Sequence, residues 1–101
     1  MAELHIALQA GFSNDTVSIH VDDNEVFNKT AITNSNHFGP AATVELNLPP
    51  GRRQVTVSVP TRQAAALIPV DLGDDPLHLG ILLTPDGEVT YQVAHEPFHY
   101  L

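Results

Sequence analysis

The sequence contains no cysteine, which excludes disulfide bonds, thiolate nucleophiles and cysteine metal ligands together. Tryptophan is absent as well, and Tyr91 and Tyr100 are the two tyrosines. Carbohydrate-binding sandwiches usually stack sugar rings on Trp or Tyr, so the sequence offers sugar recognition little support. A carbohydrate-binding function nevertheless remains open.

Basic residues are scarce, with four Lys and Arg against twelve Asp and Glu and a formal net charge of −8. A chain of this charge repels phosphate backbones, so we expect no nucleic-acid partner. Solubility is the ordinary consequence of such acidity.

Long apolar runs are also missing. No stretch approaches the ~18 apolar residues of a membrane helix, and Met1 is not followed by the basic and apolar segments of a signal peptide. We therefore expect a soluble protein without membrane insertion. It is expected to be cytoplasmic if Met1 is the native start, and otherwise a mature domain of a secreted protein.

The sequence also lacks the common catalytic motifs. The chain has no nucleophile elbow, phosphate loop or metalloprotease helix. We predict that the protein is not an enzyme and needs no cofactor.

What the sequence does contain is strict alternation of apolar and polar residues in short runs. Because side chains on a strand point to opposite faces in turn, this period of two predicts strands with one buried face. The runs are Leu4, Ile6, Leu8; Val17, Ile19, Val21; Val44, Leu46, Leu48; and Val55, Val57, Val59. We predict one all-β domain over residues 1–101, an antiparallel β-sandwich of seven or eight strands rather than a barrel.

Turn-forming residues predict four hairpins and a loop. The hairpin turns lie at Gly11 to Asp15, at Asp23-Asn24, at Pro49-Pro50-Gly51-Arg52 and at Thr84-Pro85-Asp86-Gly87. Residues 28–40 are expected to form a surface loop or a loosely paired edge strand, with His37 and Phe38 as candidate binding residues. Residues 63–70 fit an edge strand better than a helical turn.

One stretch resembles a known group of modules. The residues Val17 to Phe27, then Leu48-Pro49-Pro50-Gly51-Arg52 and Val55-Thr56-Val57, follow the order of strand, Asp turn, short strand and Pro-Gly turn. This order is similar to that of PEGA-type and carboxypeptidase-regulatory-like β-sandwiches, over about residues 15–60. The resemblance implies an immunoglobulin-like or transthyretin-like sandwich in an accessory or surface-binding role, and it transfers no catalytic residue.

Six histidines are the unusual chemical endowment. If the first hairpin is symmetric, His5 lies opposite His20 on the solvent face, where the pair could ligate a transition metal. The alternative is two solvated surface histidines. His95 and His99 are separated by Pro97, which opposes the helix that such a spacing would need.

The segment 77–83 is apolar on both faces, so both faces need cover. Either a partner subunit or the aromatic C-terminal tail could supply it, and the sequence leaves both open. The candidate interface residues are Leu77, Leu79, Leu82, Phe98, Tyr100 and Leu101.

Together these observations predict a non-catalytic accessory or assembly module that acts through protein association, with a homodimer as one form of that association. The alternative is a ligand-binding sandwich for a metal ion or a carbohydrate.

Overall fold

The computed structural model describes residues 1–34 and 40–98, and eight strands lie within them. They are β1 (Ala2–Ala10), β2 (Asp15–Val21), β3 (Asn24–Ile32), β4 (Ala42–Leu48), β5 (Gly51–Val59), β6 (Ala64–Leu72), β7 (Leu77–Leu83) and β8 (Val89–Ala94). A short 3₁₀ turn, Pro60–Arg62, separates β5 from β6. The helix content of these residues is this one turn, and no described helix has the length and apolar character needed to cross a membrane.

The strands form two four-stranded sheets. Sheet A has the order β4-β1-β7-β8, and sheet B has the order β3-β2-β5-β6. Neighbouring strands are antiparallel except β1 and β7, which run parallel. The predicted all-β sandwich is therefore confirmed, with one parallel pair inside it. A parallel pair needs a long connection, and here the intervening chain visits sheet B twice before β7 returns to sheet A.

The core lies between the two sheets and consists of the inward side chains of the alternating runs. Fully buried members include Leu4, Ile6, Leu8, Val17, Ile19, Val55, Val57, Val59, Ile68, Leu79 and Ile81. Burial alternates residue by residue along β2 and β5, as the sequence period predicts.

The predicted hairpin between β1 and β2 is wrong, because the two strands belong to different sheets. The segment between them crosses the sandwich, and Phe12 enters the core with 2% of its surface exposed. Gly11 permits the crossing: it has φ +93, and a Cβ there would collide with the Leu83 carbonyl oxygen.

The predicted β4–β5 hairpin is wrong for the same reason. The Pro49-Pro50 segment carries the chain from sheet A to sheet B, where β5 pairs with β2 and β6. Alternation specifies which face of a strand is buried, but it does not specify which sheet the strand joins.

The other two hairpins are confirmed. The β2–β3 turn uses Asp22 and Asp23, both with positive φ, one residue before the predicted pair. In the β7–β8 hairpin, Leu79, Ile81 and Leu83 lie opposite Val93, Tyr91 and Val89, which is the predicted register. The strand predicted within residues 63–70 is confirmed as β6. Residues 28–32 are the end of β3, an edge strand with irregular pairing, so the edge-strand alternative is confirmed for that part of residues 28–40.

Candidate functional site

Two histidines meet on the outer face of sheet A. His5 on β1 and His78 on β7 are partners in the parallel register, and their rings stack with centroids 4.6 Å apart and planes 16° apart. Each histidine stands between two buried residues of its strand, so both side chains point away from the core. We call His5 and His78 the His pair.

Carboxylates flank the His5 ring on both sides. Its Nε2 lies 3.5 Å from a Glu3 carboxylate oxygen, and its Nδ1 lies 3.5 Å from a Glu45 carboxylate oxygen. Both carboxylates are more exposed than the imidazole. Each nitrogen of the His5 imidazole thus has a carboxylate neighbour.

Beyond the His pair, the chain after β8 lies across the same face. The Phe98 ring meets the His78 ring edge to face, with centroids 6.4 Å apart and planes at 83°. Pro97 and Phe98, together with Pro40, line a groove of about 160 Å³ that the His pair also borders. This volume is below the roughly 300 Å³ at which small-molecule sites usually begin.

The pKa of His78 lies below the usual value for histidine. Burial is the largest cause, and the charge of His5 adds to it. Glu3 acts in the opposite direction, and His95 makes a further lowering contribution. The imidazole of His78 is therefore held in its neutral form in this arrangement.

The sequence-predicted partner of His5 lies elsewhere. His20 is on the outer face of sheet B, with Thr56 and Glu25 as its strand partners. The predicted cross-strand pair of His5 and His20 is thus a wrong pairing, because the two residues occupy opposite outer faces of the sandwich. Within residues 1–34 and 40–98, no three His, Asp or Glu side chains are grouped so as to hold a metal ion.

Sequence reasoning missed the contact between His5 and His78. His78 stands between Leu77 and Leu79, and this alternation indicates that the His78 side chain points outward. Only the pairing of β1 with β7, which no local pattern specifies, brings the two rings together.

A second feature of sheet A is the outer edge of β8, which pairs only with β7 among the described strands and which we call the β8 edge. Tyr91 and Val93 belong to the face of β8 that looks toward sheet B, yet 46% and 47% of their surfaces are exposed. Val89, on the same face at the start of the strand, packs against the core. The cover from sheet B, where β6 contacts β8, therefore fails along the second half of β8.

The predicted interface residues fall into three groups. Leu77 and Leu79 are core residues, with 3% and 0% exposure, so they are not available to a partner. Leu82 is half-buried on the outer face, and Phe98 is half-buried against His78. Tyr100 and Leu101 lie outside the described residues, as do the candidate binding residues His37 and Phe38 of the predicted loop.

Two aspartates elsewhere serve the fold. Asp15, 1% exposed, accepts hydrogen bonds from the Ser13 amide, the Thr61 hydroxyl at 2.6 Å and the Arg62 Nε at 3.0 Å. This network joins the β1–β2 connection to the turn before β6.

Asp22 holds the β2–β3 turn against β5. It accepts hydrogen bonds from the Gln54 amide and from Arg53, each at 3.0 Å. Arg53 also donates to the Pro49 carbonyl oxygen, so these groups have structural partners.

A scan against protein-family models matched no family, and a search of curated proteins found no significant relative.

Proposed function

We propose that this chain is a non-catalytic association module that pairs with a second copy of itself along the β8 edge. The observation that carries the proposal is an uncharged edge strand on which the apolar side chains of Tyr91 and Val93 are about half exposed. Exposed apolar side chains beside unpaired backbone groups are the features that invite strand pairing.

The other three edges of the sandwich carry features that oppose pairing. β3 has two register irregularities and the charged Glu25 and Lys29. β4 presents Glu45, whose side chain is 77% exposed, and β6 contains Pro69 within the strand. Charges, bulges and prolines are the devices by which sheets block edge-to-edge contact. The sequence of β8 is Val-Thr-Tyr-Gln-Val-Ala, without charge or proline, and its pairing with β7 is continuous.

Two copies of β8 suit one another as antiparallel partners. A two-fold axis through the middle of the strand would join two copies of sheet A into one eight-stranded sheet. Within such a pair no charged residue lies opposite another, because β8 has none. Tyr91 and Val93 share one face of the strand, so each would meet apolar side chains of the second copy.

The ends of β8 are less favourable. Glu88 precedes the strand and Glu96 follows it, so antiparallel pairing brings acidic residues of the two copies toward each other. The −8 net charge adds a general repulsion. We therefore expect association to strengthen as salt screens these charges.

The resemblance to PEGA-type and carboxypeptidase-regulatory-like modules agrees with an accessory role and stays a prediction. The alternative class, a ligand-binding sandwich, depends on the groove beside the His pair. That groove is small, and its one lining carboxylate, Glu45, already neighbours His5. We favour association for this reason.

The test is molar mass in solution, by size-exclusion chromatography with light scattering over a range of protein and salt concentrations. The unaltered chain is expected to approach twice its mass of 10.9 kDa as either concentration rises. Val93→Lys places a charge on the β8 edge and is expected to keep the protein monomeric. The matched control is Leu67→Lys, at a side chain 63% exposed on β6, which should dimerise like the unaltered chain.

Two results would overturn the proposal. One is a monomer at every concentration of protein and salt. The other is a dimer that survives Val93→Lys as fully as it survives Leu67→Lys, because the dimer would then use another surface.

A further inference from the structure

We propose that the segment His95–Phe98 is a proton-sensitive strap, which lies on the outer face of sheet A while His78 is neutral and detaches when the His pair is fully protonated. This device concerns the face of sheet A rather than the β8 edge, so it stands independently of the proposed association.

The closed position of the strap is defined by contacts with the His pair. Phe98 is half-buried, and its ring packs on His78, which in turn stacks on His5. The described chain between Ala94 and Phe98 leaves β8 at the position opposite His78. The strap therefore begins and ends beside the same imidazole.

The charged groups around the two rings are unevenly distributed. Glu3 on β1 and Glu45 on β4 both lie beside His5. On the β8 side the strand partner of His78 is the uncharged Ala94, and His95 follows it. Glu96 is an exposed residue of the strap itself. The two carboxylates thus lie on the His5 side of the pair, and a charge on His5 opposes protonation of His78.

Two protonated imidazoles cannot keep the stacked arrangement without cost, because like charges then face each other at 4.6 Å. A protonated His78 also needs hydration, which the overlying Phe98 ring restricts. Both effects are relieved if His78 turns toward water, and this removes the surface on which Phe98 rests.

Linkage gives the direction of the switch. The pKa of His78 is lowered, by burial first and by His5 second. The neutral form therefore stabilises the closed strap at pH values above the usual histidine pKa of about 6.5, and this contribution is lost as the pH falls through the lowered pKa. Reciprocally, removal of the strap must raise the pKa of His78.

The direct test is NMR of the full chain carrying ¹³C-labelled histidine and phenylalanine, titrated from pH 8 to pH 5. We expect nuclear Overhauser contacts between the Phe98 and His78 rings at pH 8, and their loss as the Cε1–H signal of His78 titrates. In His78→Phe, a ring of similar width that carries no proton, the contact between positions 78 and 98 should persist to pH 5.

A second variant tests the reciprocal effect without relying on the strap's own signals. Phe98→Ala is expected to shift the pKa of His78 upward toward its usual value. His20 is the internal control, because it lies on the opposite outer face and its titration should be the same in both proteins.

The proposal fails if the contact between Phe98 and His78 survives after His78 is protonated. It also fails if Phe98→Ala leaves the pKa of His78 unchanged, or if the strap detaches at the same pH in His78→Phe.

Discussion

The strands β6 and β8 close the same side of the sandwich, one in each sheet, and they do so in opposite ways. On β6 the inward side chains Ile68, Val70 and Leu72 are at most 5% exposed. On β8 the inward Tyr91 and Val93 are nearly half exposed. One strand completes the core, whereas the other extends past it.

The same contrast holds for the edges and ends of the two strands. β6 carries Pro69, and the Asp15 network fixes the turn from which it begins. β8 carries no proline or charge, and the chain beyond it rests on the outer face of sheet A through Phe98. Two edge strands of similar apolar character can thus differ in how far their inward side chains are buried and in whether charge or proline blocks further pairing.

The largest change in the free energy of unfolding is expected where the buried side chains of β6 are shortened. Ile68→Ala on β6 removes a side chain with 0% exposure and is expected to lower the free energy of unfolding by about 3 kcal/mol, through lost transfer energy and a residual cavity. The matched change on β8, Val93→Ala, is expected to cost about 0.5 kcal/mol. Urea unfolding at a concentration where the protein is monomeric measures both. Equal costs would contradict the claim that β8 extends past the core.

The next effect concerns the anchor of β6. Asp15→Asn should cost about 2 kcal/mol at pH 7, because the charged acceptor of the Thr61 and Arg62 hydrogen bonds is lost. Burial raises the pKa of Asp15, but hydrogen bonds from Thr61, Ser13 and Arg62 and the Arg62 charge bring it below its usual value.

The sign of the pH dependence follows from that lowered pKa. The ionised carboxylate stabilises the fold above about pH 4, and the contribution disappears as the pH falls through the folded-state pKa. Urea midpoints at several pH values should show the gap between Asp15→Asn and the unaltered chain narrowing below about pH 4. A gap that widens on acidification would contradict the assignment.

The smallest expected effect on folding tests edge protection. Pro69→Thr on β6 restores a backbone donor, and the free energy of unfolding is expected to change by about 0.5 kcal/mol or less. Its molar mass at high protein concentration should exceed that of the unaltered chain, because a second edge is then open to pairing. An unchanged molar mass would show that Pro69 is not what keeps the outer edge of β6 from pairing.

The sequence was sufficient to predict the strands and their buried faces, because alternation reports burial directly. It was also sufficient for the β7–β8 register, where a tight turn fixes the partner. It was insufficient for the links at Gly11 to Asp15 and at Pro49-Pro50, where turn residues look the same whether the chain returns in one sheet or crosses to the other.

Because the sheet of each strand could not be predicted, the pairing partners of the candidate site residues could not be predicted either. His5 was correctly placed on an outer face, but its partner depended on the sheet to which β2 belongs. The exposure of Tyr91 and Val93 could not be predicted either, since it depends on how far sheet B extends over β8.

Pairing along the β8 edge is measured most directly by amide hydrogen exchange of the unaltered chain at low and high protein concentration. Pairing along the β8 edge predicts that amides of β8 without a partner in β7 become protected at high concentration, whereas the outward amides of β6 do not change. Exchange of the β8 amides at a rate independent of concentration would contradict the account.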